Sequence, residues 1–135
     1  MNYLGILLAT VAQFIVGAVW YSFLFGKLWG RVHGFDKLPK NVQDKMVKEM
    51  GPFYGIQFLV TVITTIVLSY FKSLVNINLF YFAFLIWFGF IVPAQISAVI
   101  FGGTDKKWIV KKVLVQSGAA LVCLEFASLI LLLVK

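Results

Sequence analysis

The sequence predicts an all-α polytopic membrane protein, a bundle of four transmembrane helices with a short amphipathic helix between the first two. Three observations carry this. Of 135 residues, 61% are hydrophobic and 13% charged, with a mean hydropathy of +0.96, where a soluble domain of this size has too little interior to hide so much apolar surface. Four stretches have the roughly 20 mostly apolar residues that crossing a 30 Å hydrocarbon layer requires. Runs such as Leu129-Ile130-Leu131-Leu132-Leu133-Val134 lack the apolar and polar alternation of a membrane β-barrel strand.

The four spans run about 3–26, 52–71, 79–101 and 109–134. The first is read as a retained helix rather than a secretion signal, because no Lys or Arg precedes it and it exceeds the usual apolar core of 7–15 residues. The connections are short, so the chain is one membrane domain.

Orientation follows from the basic residues. Lys27, Arg31, Lys37, Lys40, Lys45 and Lys48 fall in the first connection, and Lys106, Lys107, Lys111 and Lys112 around the third. The opposite boundary has only Lys72 and Lys135. The positive-inside rule then puts both basic connections in the cytoplasm and both termini outside. Tyr21, Trp29, Tyr54 and Trp108 fall near the inner boundary, and Tyr3, Tyr70 and Tyr81 near the outer one, where aromatic rings favour the headgroup level. The expected location is the plasma membrane of a prokaryote. The net charge of +7 flanks apolar spans and carries no nucleic-acid motif, so its expected partner is anionic lipid, met by Lys40, Lys45, Lys48, Lys106 and Lys107.

Between the first two spans, Leu38, Val42, Met46 and Met50 recur every four residues. This spacing predicts an amphipathic helix over about 37–50, with Asp36 as its N-cap, Pro39 in its first turn and Gly51-Pro52 ending it. Asp44 with Lys48 and Lys45 with Glu49 stand at i, i+4. Such a helix lies on the inner leaflet or caps the bundle from below.

Each span holds one glutamine: Gln13, Gln57, Gln95 and Gln116. The last three lie about 5 to 12 Å from the inner ends of their helices at 1.5 Å per residue. Amides at one depth serve as interhelical glue or as a solute-binding ring. Glu125 is the only acid inside a span. At the helix centre an acid costs about 2.5 to 3.5 kcal/mol to insert, which its apolar neighbours offset but which still calls for a polar partner or a proton. Gln13, at similar depth, is the expected partner. On the last span Gln116, Ala119, Ala120, Cys123 and Ala127 share a small-residue face, and Glu125, nine residues from Gln116, points the opposite way. If the small face packs inside the bundle, Glu125 meets a second copy of the chain, a cavity or lipid, and a homo-oligomer is expected.

Cys123, the only cysteine, reads as a small buried residue, and His33 has no metal-ligand spacing around it. No cofactor, metal or nucleic acid is called for. No nucleophile and base pair, phosphate loop or paired carboxylates occur in the aqueous parts, so an enzyme is not expected.

Gly17-Ala18-Val19-Trp20-Tyr21-Ser22 followed by Leu24-Phe25-Gly26-Lys27-Leu28-Trp29 resembles the signature of the domain of unknown function 1761 family. Trp87-Phe88-Gly89-Phe90-Ile91-Val92-Pro93, Phe101-Gly102 and Trp108 are similar to the same family. Phe23 stands where the family usually shows proline, and Glu125 lies outside the pattern. The resemblance covers the whole chain and implies four spans and no established activity. On the first span Gln13, Gly17 and Trp20 share a face, with Gly17 read as a place where another helix approaches and Trp20 packs over it. The expected role is a non-enzymatic oligomeric structural or accessory component. The alternative is a small-solute or ion-coupled permease or channel using Glu125 and the glutamines.

Overall fold

A computed structural model describes Met1–Lys135 throughout. Six helices account for it: α1 (Tyr3–Leu24), α2 (Gly26–Val32), α3 (Lys40–Glu49), α4 (Gly51–Leu74), α5 (Leu79–Phe101) and α6 (Ile109–Leu133). Four of them, α1, α4, α5 and α6, are long and apolar enough to cross a bilayer. Only 19 of the 135 residues are buried. Phe23 and Phe101 are each 87% exposed, so the molecule turns apolar side chains outward as a lipid-facing surface does.

Local chemistry sets the helix ends. Asn2 accepts from the Gly5 amide at 3.0 Å and Asn78 from the Phe80 amide at 2.9 Å, satisfying orphan donors at the starts of α1 and α5. Pro52 sits in the first turn of α4, where its missing N–H costs nothing. The helix expected over 37–50 is shorter than its periodicity suggests, because Leu38 precedes a proline and takes an extended ψ of 147°. Pro39 therefore flanks the helix rather than entering it, and Asp36 belongs to a 3₁₀ turn, Phe35–Lys37, instead of capping α3. Of the two expected i, i+4 ion pairs, Lys45 to Glu49 forms at 3.8 Å.

Spans one and three each widen into a π-helical segment of five residues, Trp20–Leu24 and Trp87–Ile91. Each begins at a tryptophan whose carbonyl accepts from the amide five residues on, Phe25 in one case and Val92 in the other. In α5 the cause is at hand: Pro93 cannot donate to Gly89 and crowds its carbonyl. In α1 the wide turn persists with Phe23 in place of proline. Phe25 then leaves helical geometry at φ −125°, which ends the first span at Leu24 and starts α2 at Gly26.

The spans form a bent row whose outer members meet at the end of the termini, where the Phe71 and Phe82 ring centroids lie 5.1 Å apart. α1 and α6 make the central pair, α4 packs on α1, and α5 packs on α6. Two indoles clamp α6: Trp20 Nε1 donates to the Val115 carbonyl at 3.0 Å and Trp87 Nε1 to the Ser117 carbonyl at 2.7 Å. The ends of the spans differ. Where the termini lie, Ile6, Ala9, Leu68, Leu79, Ala83, Leu124, Ala127 and Leu131 close into one apolar cluster. Asn2 Nδ2 reaches the Val134 carbonyl at 3.4 Å, and the Lys72 ammonium donates to the Leu131 carbonyl at the end of α6. At the other end, which carries the basic connections, α4 stands away from the row: from Gly51 to Val60 only Phe58 is partly covered, whereas Thr61, Thr65, Leu68 and Ser69 are buried.

A glutamine-lined candidate site

The space left beside the standing-away half of α4 is a cavity of about 740 Å³, and all four spans contribute a glutamine to it: Gln13, Gln57, Gln95 and Gln116. Tyr21 and Tyr54 line it as well. No lining side chain carries a formal charge.

Each amide arrives there for a local reason. On α4, Gln57, Thr61 and Thr65 follow one another at four-residue spacing and share a face. Thr61 and Thr65 turn their hydroxyls back onto the carbonyls of Gln57 and Thr61, both at 2.8 Å, as threonine does inside helices. Gln57 Nε2 lies 3.5 Å from Thr61 Oγ1. On α6 the small face predicted from Gln116, Ala119, Ala120 and Cys123 does turn to this cavity. Gln116 Oε1 is buried with no partner. Buried amides are ordinarily satisfied, so this oxygen marks where a bound molecule would donate.

Gln13 closes the cavity towards the apolar cluster. It is 5% exposed, and its Nε2 donates to Thr65 Oγ1 at 2.6 Å and towards the Ala9 carbonyl at 3.3 Å. The fully buried Thr10 hydroxyl lies 3.2 Å from Thr65 Oγ1 and donates to the Ile6 carbonyl. A knot of Thr10, Gln13 and Thr65 therefore separates the polar cavity from the apolar seal.

Gln13 is thus committed to Thr65, and the expected pairing of Gln13 with Glu125 does not form. The two lie at similar depth, but Gln13 faces α4 across the cavity while Glu125 lies outside it on another side of α6. Glu125 is half-buried, with Oε2 shielded from solvent and unpartnered. The cavity and Glu125 are separate features.

Gly17 also corrects an expectation. Nothing lies within 4 Å of where its Cβ would be, because Gly17 borders open cavity rather than a close helix crossing. The glycine that Trp20 does need is Gly118 on α6, where a Cβ would fall 2.8 Å from the indole ring.

The remaining family-motif residues frame the site. Tyr21 packs at a tilt against Trp29, with ring centroids 4.9 Å apart. At Gly26 a Cβ would approach the Tyr21 carbonyl to 3.1 Å. Pro93 opens the regular helix after the second π segment. Trp108 stands at the start of α6, with the Lys107 and Lys111 ammoniums 5.7 and 5.2 Å from its ring. Lys40, Lys45, Lys48 and Lys106 are exposed at the same end. The tyrosines, Thr61 and Cys123 line the cavity without being expected there, and Thr65 closes it from below through Gln13. The four-residue spacing of Gln57, Thr61 and Thr65 is the sequence signal that puts both threonines on the glutamine's face.

Four apolar helices in a row around a polar, uncharged cavity define a polytopic membrane protein with an internal solute-sized space. The model of the family described as protein of unknown function (DUF1761) matches residues 4–132, and the chain belongs to that family. No curated protein and no solved structure matches it.

Proposed function

We propose that the protein is a small-solute membrane permease or carrier whose cavity holds an uncharged, hydrogen-bonding molecule. The observation that carries this reading is the meeting of four amides from four spans on one cavity, with Gln116 Oε1 left unpaired. Its volume falls within the range of small-molecule sites, about 300–1,000 Å³. Glutamine donates and accepts without bearing charge, so amides and polyols suit the site better than ions do. The reading is non-enzymatic: the solute is held and passed on unchanged.

Orientation rests on the ten basic residues at one boundary against Lys72 and Lys135 at the other, which put the cavity end towards the cytoplasm and the seal outside. In that frame α3 lies on the inner leaflet, with Val42, Met46, Val47 and Met50 in the headgroup boundary and Lys40, Lys45 and Lys48 on lipid phosphates. Uptake of radiolabelled acetamide, urea and glycerol into proteoliposomes tests the transport role. Flux above protein-free vesicles that falls in Gln116→Leu and Gln57→Leu supports it. Flux equal to empty vesicles for all three solutes, with no solute binding by calorimetry, removes it.

Glu125 favours a second reading, an oligomeric structural or accessory component. Oε2 is shielded and unpartnered, and a second copy presenting a donor to this face of α6 would relieve the cost of an unpaired intramembrane acid. Cysteine crosslinking from exposed Leu129, in a Cys123→Ala background, should then trap dimers in native membranes. Monomers only would dismiss that interface.

A further inference from the structure

A second hollow, of about 420 Å³, lies where the two basic connections meet. One wall comes from the end of α2 and the turn after it, with Arg31 and Lys37. The other comes from the turn between α5 and α6 and the start of α6, with Thr104, Lys107 and Lys112. Gly34 and Gly103 fold the two chains back at φ 69° and 75°, a left-handed conformation open to glycine at little cost. Neither turn tolerates a β-carbon without strain.

Charge is unbalanced there. Arg31, Lys37, Lys107 and Lys112 bring four cations, and Asp105 is the only acid lining the hollow. That carboxylate accepts from the Lys107 amide at 3.3 Å as the cap of a short 3₁₀ turn. None of the four cations pairs with a carboxylate, since the molecule's one ion pair is Lys45 to Glu49. Lys112 leans over the Trp29 ring at 6.0 Å, which holds the ammonium on the hollow's aromatic side. Thr104 adds an independent sign: its Oγ1 is buried, without a hydrogen-bond partner, and lines the same space. A buried hydroxyl without a partner is costly, and beside clustered cations an anionic oxygen would relieve it.

We propose that this hollow is a phosphate site, in which Arg31, Lys37 and Lys112 neutralise a phosphate group and the Thr104 hydroxyl donates to one of its oxygens. Arg31 offers a planar fork matched to two phosphate oxygens, and the lysines act as point charges. Trp29 and Trp108 beside it mark headgroup level, so the phosphate comes from an anionic lipid or from a soluble phosphate reaching the membrane surface. The site is distinct from the glutamine cavity and stands whether or not that cavity carries solute.

Calorimetric titration of the full chain in a phosphate-free sugar detergent tests it, once with inorganic phosphate and once with short-chain phosphatidylglycerol. Saturable binding of at least one probe is expected. It should weaken about thirtyfold in the Arg31→Gln/Lys112→Gln variant, as loss of two headgroup-level cations requires. It should weaken measurably in Thr104→Val, which keeps shape and charge. The Lys27→Gln/Lys111→Gln variant removes equal charge from the same end outside the hollow and should bind as wild type does. Saturation by the lipid alone assigns a headgroup, and saturation by inorganic phosphate assigns a soluble ligand. The proposal is overturned if neither probe saturates, if Arg31→Gln/Lys112→Gln binds undiminished, or if the Lys27→Gln/Lys111→Gln variant loses as much, which would mean diffuse surface charge.

Discussion

At Gly118 the structure turns on a missing methyl group. A β-carbon there would fall 2.8 Å from the Trp20 ring, and Trp20 is held in place by its bond to Val115. Gly118→Ala must therefore push the indole off α6, at a cost of about 1–3 kcal/mol for overpacking, and should lower the thermal midpoint measured in detergent. Trp20→Leu in that background should recover part of the loss, because the steric conflict then disappears; no recovery would mean the glycine matters for another reason. Thr65 makes a different prediction. Its hydroxyl takes the Gln13 amide at 2.6 Å, and intramembrane hydrogen bonds of this kind average about 0.6 kcal/mol with a maximum near 1.7. Thr65→Val and Gln13→Leu should each destabilise modestly, and the double variant should fall short of their sum by about that coupling. Strict additivity in reversible unfolding would show that the knot contributes no stability. Neither residue was legible as structure in advance. Nothing in the pattern of α6 pairs Gly118 with Trp20, and equal depth pairs Gln13 with Glu125 only by ignoring the direction each side chain takes around its helix.

Among the elements, the spans were readable because lipid imposes a length and a composition that no packing detail overrides. Their ends shifted by a few residues where a π segment or a proline intervened, and periodicity does not register either. The two π segments do carry a sequence mark, a tryptophan at the first position of each, Trp20 and Trp87. The short helix α3 is the element whose environment the chain alone leaves open, since Val42, Met46, Val47 and Met50 are all exposed. If they sink into the headgroup boundary, a tryptophan placed by Met46→Trp, in a chain with the native tryptophans changed to Phe, should emit at shorter wavelength in vesicles than in water. Brominated lipid should quench it, whereas Lys45→Trp on the polar face should stay red and unquenched. Equal emission from both positions would place α3 clear of the membrane.

For the molecule as a whole, the decisive asymmetry is a polar cavity in the half nearer the basic connections and an apolar seal at the end of the chain termini. The class of fold was legible because composition and length suffice for it. The cavity was only half legible: equal depth grouped Gln57, Gln95 and Gln116, but that α4 leaves the row and lets Gln13 join them depends on packing between helices distant in sequence. The chain contains its own reporter of this arrangement. Cys123 is the sole cysteine and borders the cavity, with its Sγ 3.5 Å from the Gln13 carbonyl. A small water-soluble methanethiosulfonate should reach it from the basic end and be stopped by the seal formed around Leu68, Leu79, Leu124 and Leu131. If the basic connections lie in the cytoplasm as proposed, labelling should proceed in inside-out vesicles and be slow in right-side-out ones, and a solute that occupies the cavity should slow it further. The reverse asymmetry would invert the topology, and equal labelling from both sides would mean that the cavity runs through the seal. No labelling from either side, in protein that reacts once denatured, would mean that water does not enter the cavity and that its glutamines act only to bind helices to one another.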